Sequence, residues 1–160
     1  MKALTLYEPW ASLVAKGEKK IETRSWATKY RGPIAIHAAA QMPAYVKKLC
    51  PKFANLLGIY DYECSWLHDL ACKSGPYGKV VATATLVNCL EVVGKAIFPA
   101  DGTVILKDNT TVSGNELAFG DYTIGRYAWI LKDIKPLADP IRLKGCRGFG
   151  TGIIRKTNRL

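Results

Sequence analysis

Lys20, Glu22 and Arg24 alternate along the octapeptide Gly17-Glu18-Lys19-Lys20-Ile21-Glu22-Thr23-Arg24. In an extended chain alternate side chains share a face, so three ionisable groups stand side by side, with Trp10 before them and Trp26 after. A carboxylate there can accept hydrogen bonds from a base edge, orient a lysine, or act as a general base. The guanidinium of Arg24 offers a planar fork to a phosphate or a carbonyl. Lys19 is out of phase with Glu22 and joins it only if the strand starts after Lys19 or bulges there. The plainer reading is an ion pair between Glu22 and Arg24 that holds structure, since mixed-sign charge is common on sheets.

The next segment, Trp26-Ala27-Thr28-Lys29-Tyr30-Arg31, carries two flat rings and two cations within six residues. Trp26 and Tyr30 can stack a nucleobase while Lys29 and Arg31 meet phosphate or sugar, stacking being worth about 1–3 kcal/mol per base. Tryptophans are also frequent half-buried anchors, which leaves both roles open.

The remaining chemical residue types give weaker signals. His37 lies in an alternating stretch and is more often a satisfied structural residue than a ligand. Five cysteines (Cys50, Cys64, Cys72, Cys89, Cys146) include no Cys-x-x-Cys pair, so they read as reduced core thiols rather than a zinc knuckle or disulfide framework. No Asp/Glu/His cluster has metal-ligand spacing, so neither a built-in metal nor a cofactor is expected. The segment Lys144-Gly145-Cys146-Arg147-Gly148-Phe149-Gly150 is basic and glycine-rich, but it does not sit between a strand and a helix as a phosphate loop does. The last residues, 155–160, read as a mobile basic tail.

A chain of 160 residues, 49% hydrophobic, is long enough to bury a core and is read as one domain over residues 1–160. Its net charge of +10 is unevenly placed: residues 1–60 carry +7, residues 61–141 carry −3 and residues 142–160 carry +6. If both basic ends meet on one side, they make a face suited to phosphate. Excess lysine that merely aids solubility is the alternative. The start lacks a long apolar run and no stretch approaches the roughly 20 apolar residues of a membrane span. A cytoplasmic protein without membrane contact is therefore expected.

To position these groups the sequence predicts a strand over Lys2–Leu6, a helix over 8–16 closed by Gly17, and strands over 20–24 and 33–38. Residues 44–57 show helical spacing interrupted by Pro51, so two short pieces or one kinked helix should form, and a further helical turn fits 66–71. Residues 78–93 carry the strongest strand signal. Val104-Ile105-Leu106, between turn pairs, reads as a small hairpin arm. A last long strand runs from Arg126 to Ile134, ended by Pro136 and Pro140, with a short one at 141–143.

The octapeptide fits Gly-x-Lys-x-x-Glu-x-Arg and resembles the signature of the ASCH family, with Lys19, Glu22 and Arg24 on the signature positions. Leu6-Tyr7-Glu8-Pro9-Trp10-Ala11, Tyr30-Arg31-Gly32-Pro33 and Gly125-Arg126-Tyr127-Ala128-Trp129 extend the likeness, and residues 40–76 look like a variable helical insert. The resemblance implies an α+β, mainly β fold: a PUA-like mixed β-barrel flanked by a few short helices. It implies binding of RNA or a nucleotide-like ligand in a cleft lined by Lys19, Glu22, Arg24 and Trp26. Trp10, Tyr30 and Arg31 would stand at its rim, Lys29 beside them and Arg147 near it.

It also implies an alternative, hydrolysis of RNA (ribonuclease type) or of a modified nucleoside (amidohydrolase type), with Glu22 as base, Lys19 as stabiliser and Arg24 as clamp. Some relatives are amidohydrolases resembling a triad of lysine, threonine and glutamate. In this chain Lys19 matches the lysine, Glu22 replaces the threonine, and Val80 to Val87, where the acid would fall, contains none. That deacylase chemistry is not carried over, while activation of a water by Glu22 stays open. A third reading is an adaptor whose basic face meets an acidic protein.

Overall fold

The computed structural model describes residues 1–63, 65–71, 74–98, 101–143 and 149–150. It is a mixed α+β structure, mainly sheet, in which β1 (Lys2–Leu6), β2 (Ile21–Arg24), β3 (Gly32–Ala38), β4 (Lys79–Lys95), β7 (Tyr127–Arg142) and β8 (Phe149–Gly150) follow the order β2-β7-β4-β3-β1-β8. β1 and β3 are parallel, and the other pairs along this path are antiparallel. β5 (Val104–Leu106) and β6 (Thr111–Val112) form the small arm, docked on the far end of β4. The described strands end at β2 on one edge and β8 on the other, with no pairing between them, so hydrogen bonding does not close the sheet into a barrel.

Alternation dictates the core. Leu4 and Leu6 of β1, Ile34 and Ile36 of β3, and Trp129 and Leu131 of β7 project to one side and are buried together with Ala11 and Val14 of α1 (Trp10–Ala15). Pro9 stands just before α1, and Gly17, with a positive φ of 78°, follows its end. That left-handed turn suits glycine and drops the chain directly into the octapeptide.

Helices α2 (Ala44–Lys47), α3 (Cys50–Leu56) and α4 (Trp66–Ala71) confirm the interrupted helical spacing, with Pro51 in the first turn of α3, where proline is tolerated. Their apolar sides bury Val46, Phe53, Ala54 and Leu67 against Leu13 and Phe119.

Two features depart from the sequence reading. β7 does not stop before Pro136 but continues through both prolines to Arg142. The pairing explains how: Ala82 faces Pro136 while Val80 faces Ile141, so residues 137–140 bulge opposite one partner residue and Pro140 needs no ladder bond. The second is α5 (Gly114–Ala118), a short helix within the turn-rich stretch after the arm.

Candidate functional site

The strand β2 begins at Ile21, after Lys19, which removes the phase conflict between Lys19 and Glu22. Lys19 is fully buried, and its ammonium donates to the Ile21 carbonyl while lying 3.7 Å from Glu22 Oε2 and 3.8 Å from Glu116 Oε1. Glu116 comes from α5. Ser113 and Glu116 have the Ser-x-x-Glu spacing of a capping box, the one local signal that could have disclosed this helix. Yet Ser113 makes no side-chain cap, and the carboxylate instead accepts the backbone N–H of Lys20 (2.8 Å) and of Ile21 (3.1 Å). A remote carboxylate thus fixes the start of the strand that carries the site.

Arg24 is held on three sides. Its Nη2 donates to the Thr5 carbonyl at 2.8 Å, its Nε lies 3.3 Å from Glu22 Oε1, and its guanidinium sits 5.4 Å from the centre of the Trp26 ring. The contact with Glu22 is oblique, which leaves the buried Nε without a well-aligned acceptor. Burial, reinforced by Glu116 and Glu22, pushes the Tyr122 hydroxyl far above the ordinary phenol range, so it stays protonated.

Glu22 and Arg24 open into a cavity of about 1130 Å³. Trp10, half-buried, lines it and packs edge-on against Phe53, with ring centres 6.1 Å apart. His37 lines its inner end: Nδ1 is 3.1 Å from the Thr5 hydroxyl, while Nε2 is buried without a well-aligned partner. Burial pushes this imidazole below its ordinary value, against the opposing pull of the Gly78 and Leu143 backbone.

The sequence reading did not single out four other residues on the cavity wall, Tyr7, Tyr45, Lys52 and Arg126. Tyr7 is 47% and Tyr45 65% exposed, so both rings are available at the mouth. Arg126 is paired with Asp121, Nε to Oδ2 at 3.3 Å. Tyr7 and Arg126 stand in the stretches that carry the ASCH resemblance without having been given a role there, and the Tyr45-to-Lys52 spacing of two helical turns was the local hint for the other pair.

The loop after β2 stands apart from this wall. Trp26 packs edge-on against Trp129, and Trp129 donates its indole N–H to the Trp26 carbonyl at 3.3 Å. Tyr30 donates its hydroxyl to the Pro33 carbonyl at 2.7 Å, and Lys2 lies over its ring. Arg31 donates to the carbonyls of Thr28 and Tyr30 and to Asn88. Lys29 is exposed. Of the residues expected to line or rim the cleft, Lys19, Trp26, Lys29, Tyr30 and Arg31 do not line this cavity, Lys19 being buried behind Glu22, and Arg147 lies outside the described residues, as does the tail after it.

Among the described residues no group of three His, Cys, Asp or Glu side chains could hold a metal ion, and no helix is long and apolar enough to cross a membrane. Burial pushes the Cys50 thiol up to about 11, which keeps it unreactive, and Cys89 accepts the Thr28 amide. Cys64, Cys72 and Cys146 lie outside the described residues.

The sequence model of the ASCH domain family matches residues 4–99, a stretch that includes the whole octapeptide. The chain belongs to the ASCH domain family. Over 89 residues it is 46% identical to the human protein Activating signal cointegrator 1 and 44% identical to the mouse protein of that name. Each match takes in 54% of this ASCH chain and only 14% of the relative's length. A crystal structure of a ZmASCH mutant protein from Zymomonas mobilis aligns with 89% of this chain and 75% of that one, at 19% identity and a TM-score of 0.44.

Proposed function

We propose that this protein binds RNA or a nucleotide-like ligand in the cavity that Glu22 and Arg24 line. One observation carries the reading: the paired carboxylate and guanidinium share a wall with two exposed tyrosines and two further cations, Lys52 and Arg126. Rings at the mouth stack a base, the carboxylate accepts from an amino or imino group on its edge, and the cations meet phosphate. The ASCH membership of the chain supports the same reading. Trp26 belongs to the site through Arg24, which it steadies. Lys29 and Arg31, both exposed, and Arg147 are assigned to the backbone of a ligand that runs past the cavity. The PUA-like barrel is part of this proposal, supported by the Arg24 side chain reaching from β2 to β1.

Binding of a short labelled single-stranded RNA tests it. Affinity should fall steeply as salt rises and fall again in Tyr7→Ala and Tyr45→Ala. No binding at low salt, or binding indifferent to salt, would overturn the reading.

Hydrolysis is the second reading, favoured by the buried ammonium of Lys19 beside a carboxylate that faces the cavity. Glu22 would take a proton from water and Lys19 would stabilise the developing negative charge. Glu22→Gln should then abolish turnover and leave binding largely intact, and an equally active variant would exclude Glu22 as base.

A further inference from the structure

The helical segment α2–α3 forms one side of the cavity and carries a charge pattern that continues past the cavity wall. Its backbone stays helical through the join, Lys48 at φ −66°, ψ −15° and Leu49 at φ −85°, ψ −22°. Side chains three and four residues apart therefore share a face, which is why Tyr45, Leu49, Lys52 and Phe53 all reach the cavity wall. Lys48, three residues after Tyr45 and four before Lys52, is exposed and continues that face outward from the mouth. Residues 40–60 contain three lysines and no acidic residue, and among the described residues none of these lysines is in an ion pair. The underside of the segment, Val46, Cys50, Phe53 and Ala54, is buried in the helical core, so the lysine face is held in place.

We infer that the ligand is a single-stranded polynucleotide rather than a free nucleotide, and that its chain leaves the cavity across α2–α3. Tyr45, 65% exposed, takes a base next to the one inside, and Lys52 and Lys48 take successive phosphates. The two lysines are one turn apart, about 6 Å along the axis, a spacing that lets them meet neighbouring phosphates of an extended strand. Two neighbouring cations on this face, in a stretch with no carboxylate between residues 40 and 60, complement a polyanion. This inference rests on the reading of the cavity as a nucleotide site.

Affinity is measured for the four common ribonucleoside monophosphates, a dinucleotide and an octanucleotide of single-stranded RNA, with wild type, Lys48→Glu, and Lys107→Glu on the distant arm as the charge control. Affinity should rise at least about tenfold from mononucleotide to octanucleotide. Lys48→Glu should lower octanucleotide affinity about fivefold or more at low salt and flatten the salt slope by about 0.7 or more, with mononucleotide binding unchanged. Lys107→Glu should change little. Mononucleotides bound as tightly as the octanucleotide would overturn the inference while the cavity reading stands. So would Lys48→Glu without effect, or Lys107→Glu with an equal one. Binding of neither ligand would overturn both.

Discussion

The guanidinium of Arg24 donates to the Thr5 carbonyl across 2.8 Å, joining β2, at one edge of the sheet, to β1, which lies next to the other edge. Among the described residues no strand pairing joins β2 to β1, and this side chain links them beside the cavity.

Arg24→Lys should therefore cost stability out of proportion to its modest chemical change. A lysine cannot reach Thr5, Glu22 and the Trp26 ring together, and losing a charge-assisted hydrogen bond costs about 1.5–3 kcal/mol. Denaturant unfolding checks this, and an unchanged midpoint would show the bridge to be idle.

Lys19→Met tests the buried cluster. With the ammonium gone, the Glu22 and Glu116 carboxylates lose their shared counter-charge, and breaking such a buried pair costs about 3–5 kcal/mol. The double variant Lys19→Met/Glu116→Gln should recover part of the loss, because Glu22 keeps Arg24 as a partner and the other carboxylate left without the ammonium is then neutral. No recovery in the unfolding midpoint would mean that the carboxylates do not feel one another.

Glu8 predicts a pH dependence. It is fully buried ahead of α1, accepts from the Ser12 amide and hydroxyl, and is pushed by burial up to about 7 from an ordinary value of 4.5, against the pull of both Ser12 bonds. Between those values the folded protein keeps a proton that the unfolded chain has released, so stability falls as pH rises through that window and stays low above it. The loss is about 3 kcal/mol in all. Glu8→Gln should be less pH-sensitive over pH 5 to 8 and more stable than wild type at pH 8. A wild-type stability curve that is flat across that range would refute the assignment.

Tyr7→Ala and Tyr45→Ala should each weaken ligand binding by about 1–3 kcal/mol while leaving the unfolding midpoint nearly unchanged, since both rings are exposed. Titration of short RNA and thermal unfolding of the same samples separate the two effects. If Trp26→Ala lowers affinity, it should do so together with stability, because its ring packs on Trp129 and lies against Arg24.

The sequence alone determined the elements whose signals are local. Apolar alternation marked β3, strand-forming residues marked β1 and the long β4, helical spacing broken by Pro51 marked α2 and α3, and Gly17 marked the end of α1. The octapeptide likewise placed Glu22 and Arg24 on one face, because that alternation depends only on residues a few positions apart, while Lys19, out of phase with them, joins Glu22 only because β2 starts after it, at Ile21. Tertiary structure alone decided what stands around them. Glu116 reaches β2 from 95 and 96 residues away in the chain, and Tyr7, Tyr45, Lys52 and Arg126 meet on one cavity wall. It also carried β7 past Pro136, since a bulge across from Val81 depends on the partner strand. Periodicity reports which face of an element is buried, while the identity of the neighbour across a gap is set by how the sheet twists and closes on its helices.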